Sequence, residues 1–395
     1  MPVLLAALGA LLVSLDSAIN IALPAMAETF GVRPSAIRWV IICYVLTYAL
    51  TAFVAGLLAD RLGPGPVFTV GLWLSGLAFV GYAVAHSYDA VLLLRVAQGL
   101  GGGLVYGTAP ALVTLFLPRE RHGRGLGTMS LGLGVGLGVG PILGGLLLDG
   151  LGWAATFLFR APLFLAVATL AQAGFGRVGA RARRSRRIAP EDVLRLPVLR
   201  AALLAFLSNY AQFAVWLLVP FFLVGPLGFR PSLGGLVFTL TPLGAALAAP
   251  LGGIATDRIG PRWPLAGGLL LELAGLLAIG RMTEATPLLL VGIGMGLVGL
   301  GVGLFQVPNL TQMMAAFPPA QQGVAGGLAF LGRTLGSAVG VQVTAMLFEA
   351  RLAREGFLPA FHAAFLGAAA VCAVAAVIAL LPVERSGRES TRRYG

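Results

Sequence analysis

Apolar residues fall in twelve long stretches along the chain, at roughly 3–24, 37–58, 66–85, 91–117, 124–148, 154–175, 199–223, 232–255, 264–281, 287–314, 324–348 and 359–381. Each is long enough to cross about 30 Å of hydrocarbon as a helix. None shows the two-residue alternation of a barrel strand, and each far exceeds the ~10 residues such a strand needs. In lipid a helix also satisfies its own backbone hydrogen bonds. Polar positions punctuate these runs in short loops, apart from one longer stretch, 176–198, that ends in the Pro-bounded IAPEDVLRLP. The pattern predicts an all-α membrane protein of twelve transmembrane helices. They form two pseudo-symmetric six-helix bundles, 1–175 and 199–395, with a cytoplasmic linker at 176–198 and a short cytoplasmic tail. The first run lacks both a basic leader and a small-residue cleavage site, so a cleavable signal peptide is not expected.

The two halves repeat one another. GLLADRLG at 56–63 and GIATDRIG at 253–260 stand 197 positions apart, each just after a long apolar run. Gly123, Gly127, Gly132, Gly136 and Gly140 pair with Gly323, Gly327, Gly332, Gly336 and Gly340 at a spacing of 200. Two membrane halves of equal pattern are the mark of a transporter, because rocking one half against the other makes an alternating pathway.

Charge sets the orientation. With 58% apolar and 11% charged residues a water-soluble fold is excluded, and the 27 basic residues, all Arg, give a net charge of +12. With both termini in the cytoplasm, eighteen Arg fall on inner loops and the tail, six fall outside, and Arg95, Arg160 and Arg333 lie within spans. That satisfies the positive-inside bias and predicts a multi-pass protein of the cytoplasmic membrane. The charge is spread over short loops, so it does not imply a nucleic-acid partner. The dense run from Arg181 to Arg187 reads as a stop-transfer signal, with contact to anionic lipid heads as the alternative. His86, His122 and His362 lie near loops and form no cluster with Cys43 or Cys372, so no enzyme site, metal or cofactor is expected. The two cysteines occupy separate spans, which gives no disulfide framework.

Asp16 and Glu272 are the two acids deep within spans, and a charge at mid-helix costs about 2.5–3.5 kcal/mol on insertion scales. In an α-helix Asp16, Asn20 and Pro24 share one face and can point into a central cavity. Desolvation favours the protonated form of a carboxyl group and a nearby cation favours the carboxylate. A cavity that alternately wets and dries would therefore make Asp16 take up and release a proton; the plainer alternative is a hydrogen bond that fixes helix packing. Arg95 needs a carboxylate or several carbonyl partners inside the bilayer, which leaves open Asp16 on one hand and backbone carbonyls with Gln98 on the other. Glu272 reads as structural, with substrate or proton handling as the alternative, Arg333 reads as structural, and Arg160 has no physical account from the sequence.

Polar and aromatic residues on the expected cavity helices include Asn20, Tyr44, Tyr48, Gln98, Tyr106, Asn209, Gln212, Trp216, Gln306, Asn309 and Gln312. A largely apolar, aromatic cavity with one carboxylate suits lipophilic or cationic compounds. A sugar carrier would want more hydrogen-bonding groups, and an organic-anion or phosphate carrier further central cations; the same aromatics could instead face lipid. In the fifth span Gly132, Gly136, Gly140 and Gly144 make a smooth stripe, beside Pro141, which can bend the helix. The stripe is expected to form a tight, leak-resistant interface between the halves, with ordinary close packing as the alternative.

These elements resemble the major facilitator superfamily over essentially the whole chain. Gly56, Asp60, Arg61 and Gly63 match its signature G-x-x-x-D-R-x-G, repeated as Gly253, Asp257, Arg258 and Gly260. Arg95, Gln98 and Gly99 resemble the R-x-x-Q-G element of proton-coupled members. Gly136, Gly140, Pro141, Gly144 and Gly145 resemble the G-x-x-x-G-P-x-x-G-G element of exporters working as antiporters. LDSAINIALP at 15–24 is similar to the first-helix element of drug/proton antiporters. The resemblance implies a monomeric, proton-coupled antiporter that exports small hydrophobic or cationic compounds by alternating access, with Asp16 and Arg95 in proton coupling. An exporter of an endogenous metabolite or lipid would share every motif. The resemblance also places the fourth helix beside the first. It implies a cytoplasmic gate in which Asp60 meets the positive end of the eleventh helix and Asp257 that of the fifth. The sequence departs from the family pattern at Pro64, Gly65 and Pro66, where basic residues are usual, and at Arg160, where Asn is common.

Overall fold

A computed structural model describes residues 2–116, 122–175, 194–317 and 322–381. Among them the chain forms twelve long helical elements. The first bundle holds α1 (Val3–Thr29), α2 (Pro34–Leu62), α3 (Pro64–Gly81), α4 (Tyr88–Phe116), α5 (His122–Leu151) and α6 (Ala155–Phe175). The second holds α7 (Leu196–Val224), α8 (Pro231–Ile259), α9 (Arg262–Ile279), α10 (Leu288–Ala315), α11 (Gln322–Glu355) and α12 (Phe357–Leu380). Eleven of these are long and apolar enough to cross a membrane. The remaining one, α11, is a 34-residue helix with Arg333 in its body and Glu349, Arg351, Arg354 and Glu355 near its end. Most of the expected linker lies outside the described residues, and the second bundle is helical from Leu196.

The repeat seen in the sequence is a repeat of helix contacts. Glycines let backbones approach where any side chain would collide. A Cβ on Gly99 or Gly103 of α4 would strike the Tyr44 or Tyr48 carbonyl of α2, and one on Gly299 or Gly303 of α10 would strike the Thr241 or Ala245 carbonyl of α8. The signature glycines that close α2 and α8 have a backbone reason. Gly63 (φ 87°, ψ 147°) and Gly260 (φ 79°, ψ 165°) occupy a region open essentially to glycine alone. Each is followed by a proline with φ already set, Pro64 as the first residue of α3 and Pro261 as the cap just before α9.

The glycine stripe of α5 is corrected by the same contacts. Cβ atoms on Gly132, Gly136, Gly140 and Gly144 would meet Ala7, Leu11 with Ser14, Ser17 and Ala18, all on α1. The stripe therefore packs within its own bundle. Gly332, Gly336 and Gly340 of α11 do the same against Ala202, Phe206 and Tyr210 of α7. Four-residue spacing marks a close helix contact but carries no information about which helix supplies it.

Two arginines counted toward orientation also have a structural role. Arg200 Nη2 donates to the carbonyls of Ile378, Ala379 and Leu381 at 2.8, 3.0 and 2.9 Å, and Arg262 donates to that of Leu380. Both neutralise the negative end of α12.

Candidate functional site

The first span is not one α-helix. It runs as α-helix over Pro2–Ser14, as 3-10 helix over Leu15–Ala22, and as α-helix again over Leu23–Thr29. Pro24 has no N–H and its ring crowds the carbonyl four residues back, that of Asn20. That carbonyl instead accepts from the N–H of Leu23, three residues on. Eight residues of 3-10 helix exceed the usual three or four and mark a strained segment. The expected shared face of Asp16, Asn20 and Pro24 is corrected by it. At about 120° per residue, four residues turn Asn20 a third of a revolution from Asp16. Asn20 Nδ2 donates to the Ser17 carbonyl at 3.1 Å.

Asp16 lies at the start of this segment, inside a cluster drawn from α1, α4 and α6. Arg95 grips it through both terminal nitrogens, Nη1 to Oδ1 at 2.8 Å and Nη2 to Oδ2 at 2.9 Å. Gln98 Nε2 donates to Oδ1 at 2.6 Å, and Arg160 Nη1 donates to the same oxygen at 2.9 Å. Arg95 Nε also donates to the Val40 carbonyl of α2 at 2.6 Å, and its Nη1 reaches Gln98 Oε1 at 3.0 Å. The two alternatives left open for Arg95 hold together: it bonds Asp16, Gln98 and a carbonyl at once. Tyr82 Oη donates to Gln98 Oε1 at 3.2 Å, which fixes the amide. Arg160 is anchored by the Thr156 carbonyl at 3.2 Å. The guanidiniums lie over aromatic faces, Arg95 4.3 Å from the Tyr44 ring and Arg160 4.3 Å from that of Phe79.

Two consequences follow from this geometry. Every contact to the Asp16 carboxyl comes from an N–H donor, which leaves no acceptor for a carboxylic O–H, so the arrangement suits the carboxylate. The cluster also holds two guanidiniums against one carboxylate. The Asp16 side chain is 14% exposed, against 2% for Arg95 and 0% for Arg160, so the acid is the least covered member of the cluster. Arg160, Tyr82 and Phe79 were missing from the sequence-level site. Arg160 carried a usable signal, since a cation deep in a span needs an acid and Asp16 was the candidate nearest the family's coupling element.

Tyrosines lead from this cluster to the other half. Tyr44 stacks on Tyr48 at 5.5 Å between ring centroids, Tyr48 meets Tyr106 at 5.6 Å, and both touch Phe330 of α11, at 5.6 and 5.4 Å. One turn further along α11 stands Arg333, half-buried, with the Gln306 side chain of α10 against both its terminal nitrogens when the amide oxygen faces it. Tyr48, Tyr106 and Gln306 are thus brought together. Asn209 and Asn309 are not: their amides donate to the Ala205 and Ala201 carbonyls of α7, at 3.0 and 3.1 Å. Trp216 packs on Phe213 and Phe238, and Gln212 is half-buried. Glu272 is fully buried elsewhere in the second bundle and accepts from Ser208 Oγ at 2.8 Å.

The halves meet at the end of the molecule where α1 stops and α8 begins. Ser232 N donates to Asp149 Oδ2 at 3.1 Å, Thr239 Oγ1 to the Gly138 carbonyl at 3.1 Å, and Arg33 pairs with Glu349 at 2.7 Å. Gly145 faces the backbone of Pro231 and Ser232, Gly235 faces the Pro141 carbonyl, and a Cβ on Gly234 would meet Ile21 of the 3-10 segment at 2.9 Å. Gly145 and Pro141, from the antiporter-like element, thus do face the other half. At the opposite end Asp257 and Arg258 are exposed and make no hydrogen bond to a described residue, Arg61 and Gly56 leave open space, and the Asp60 side chain lies outside the described residues.

Close backbone packing at Gly235 predicts a strong steric effect. Gly235→Val puts two methyl groups onto the Pro141 carbonyl, and packed interfaces yield by separating rather than deforming. Spin labels at positions 33 and 349 should move apart in this variant, and transport should fall at least about tenfold. An unchanged label distance would show that this contact does not hold the halves together.

The model of the Major Facilitator Superfamily matches residues 5–222 and again 201–394, so the two matches between them span nearly the whole chain. The chain is 28% identical to multidrug resistance protein Stp of Mycobacterium tuberculosis, over 87% of this chain and 75% of that protein. It is 27% identical to the tetracenomycin C resistance and export protein of Streptomyces glaucescens, over 89% and 76%, and 22% identical to riboflavin transporter RibZ of Clostridioides difficile, over 96% and 97%. Among solved structures, a bacterial homologue of the human lysosomal transporter Spinster, inward-facing and unoccupied, superposes with a TM-score of 0.81 at 17% identity, over 96% of this chain and 95% of that one.

Proposed function

The chain belongs to the Major Facilitator Superfamily, and on that premise we propose that it is a proton-coupled antiporter exporting small hydrophobic compounds across the cytoplasmic membrane by alternating access. The observation that carries this function is the Asp16 cluster: a carboxylate in a membrane helix, less buried than its partners and saturated by Arg95, Gln98 and Arg160. A protonated Asp16 has one O–H to donate and fewer lone pairs to offer, so it cannot keep all four N–H contacts. Protonation therefore loosens α1 from α4 and α6.

The loosening has a route to the interface. Ile21, on the same 3-10 segment as Asp16, lies against Gly234 of α8, and Ser17 Oγ donates to the Leu137 carbonyl of α5 at 3.2 Å. A segment already departing from α geometry is a suitable place for such a change. With both termini in the cytoplasm, the end where the halves meet is the outer one, and Asp16 and Arg95 carry the proton coupling. Similarity to resistance and export proteins supports drug-like cargo. Similarity to a riboflavin transporter over nearly the full length of both chains favours, as a second reading, an endogenous metabolite.

The test uses proteoliposomes loaded with lipophilic dyes of positive, negative and zero charge. Export should follow an imposed pH gradient for at least one of them and stop when a protonophore dissipates it. Export that continues unchanged without the gradient would overturn proton coupling and leave a facilitator.

A further inference from the structure

We infer that the transported compound carries an anionic group, a carboxylate or comparable oxyanion, bound by Arg333 while its apolar body lies against Tyr48, Tyr106 and Phe330. The inference rests on the exporter function proposed above and names the substrate class of that exporter. It departs from the lipophilic or cationic compounds expected from the sequence, which placed one carboxylate, Asp16, in an apolar, aromatic cavity.

The sign of the charges decides the matter. Asp16 is already shared by two guanidiniums, and Glu272 is fully buried and bonded to Ser208. No carboxylate among the described residues faces Arg333, whose side-chain partner is the neutral amide of Gln306. A cationic compound lying against these rings would meet the half-buried Arg333 and no unengaged acid among the described residues. An anion would supply the counter-charge that a half-buried cation lacks. Guanidinium is also the cation best shaped to hold a carboxylate through two parallel N–H bonds. Gln306 presents its oxygen to both terminal nitrogens of Arg333, the two donors such a carboxylate would take, so the amide acts as a displaceable placeholder.

Placement adds the second part. Tyr48 and Tyr106 come from the first bundle, Phe330 and Arg333 from the second, and the rings stand 5.4 to 5.6 Å apart. A flat apolar body bound there would touch both halves and so sense their relative position, which a transported substrate must do to bias the switch.

Three probes of one shape test this on the purified full chain in detergent: pyrenebutyrate, its methyl ester, and the matching pyrenebutyl-trimethylammonium. Binding is read by energy transfer from tryptophan to pyrene. The carboxylate should bind at least about tenfold more tightly than the other two. Arg333→Gln should erase that preference while leaving ester affinity within about twofold, so the ester reports an intact ring cluster. Equal affinity for all three, preference for the ammonium, binding of none, or a carboxylate preference that survives Arg333→Gln each overturns the inference. Failure of proton coupling would leave the affinity ratio unchanged, and loss of the ratio would leave gradient-driven export standing.

Discussion

Asp16→Asn should abolish substrate-driven proton exchange while leaving a chain that still binds a neutral probe. Asparagine keeps the shape of the side chain but has one acceptor oxygen in place of two, and its Nδ2 would turn a donor toward the donors of Arg95, Gln98 or Arg160. It also cannot carry a proton. Proton release on adding substrate to detergent-solubilised protein, read with a pH indicator at low buffering, should fall by about a hundredfold or more, the scale on which loss of a positioned proton carrier is felt. Affinity for an uncharged ligand should change little, because the rings of Tyr48, Tyr106 and Phe330 are untouched. Proton release at the wild-type level would remove Asp16 from the mechanism. Loss of release together with loss of neutral-ligand binding would mean that the cavity had collapsed.

The architecture was legible because lipid imposes it. Continuous apolar runs, the arginine distribution and the doubled G-x-x-x-D-R-x-G element point to one outcome, and the structure adds only that Gly63 and Gly260 are glycines for backbone reasons. Half of the Asp16 cluster was legible too, since a buried acid and a buried Arg call for one another. Three features were not. The 3-10 stretch in α1 follows from a proline whose effect on the preceding turn depends on packing, so helical spacing from Asp16 misplaced Asn20. The glycine stripe of α5 gave a close contact without a partner, and the partner is α1. Arg160 is the intermediate case: as a cation deep in a span it called for an acid, but 144 positions separate it from Asp16 and no local pattern names that acid as its partner. That link bears on the proposed anionic cargo, because it adds a second guanidinium to a carboxylate that Arg95 already holds through both oxygens.

A double-mutant cycle on Asp16 and Arg160 should expose the excess of positive charge as a stability difference. Removing Asp16 leaves two guanidiniums at 2% and 0% exposure with no carboxylate between them, and breaking a buried pair from one side costs about 3–5 kcal/mol. Removing Arg160 alone leaves a neutral, bidentate Arg95–Asp16 pair with Gln98 and the Val40 carbonyl still in place. Arg160→Gln should therefore cost only about 1–2 kcal/mol, the scale of one lost charged hydrogen bond and a ring contact. In the double variant only Arg95 remains unpaired, held by Val40 and Gln98, so Asp16→Asn with Arg160→Gln should melt at a higher temperature than Asp16→Asn alone. The expected coupling is about 2 kcal/mol, read from thermal unfolding in detergent. Strict additivity would show that Arg160 is held by Thr156 and Phe79 without help from the acid. Function should split the other way: Arg160→Gln keeps a carboxylate that can exchange its proton and retains transport, whereas the more stable double variant, like Asp16→Asn, has none.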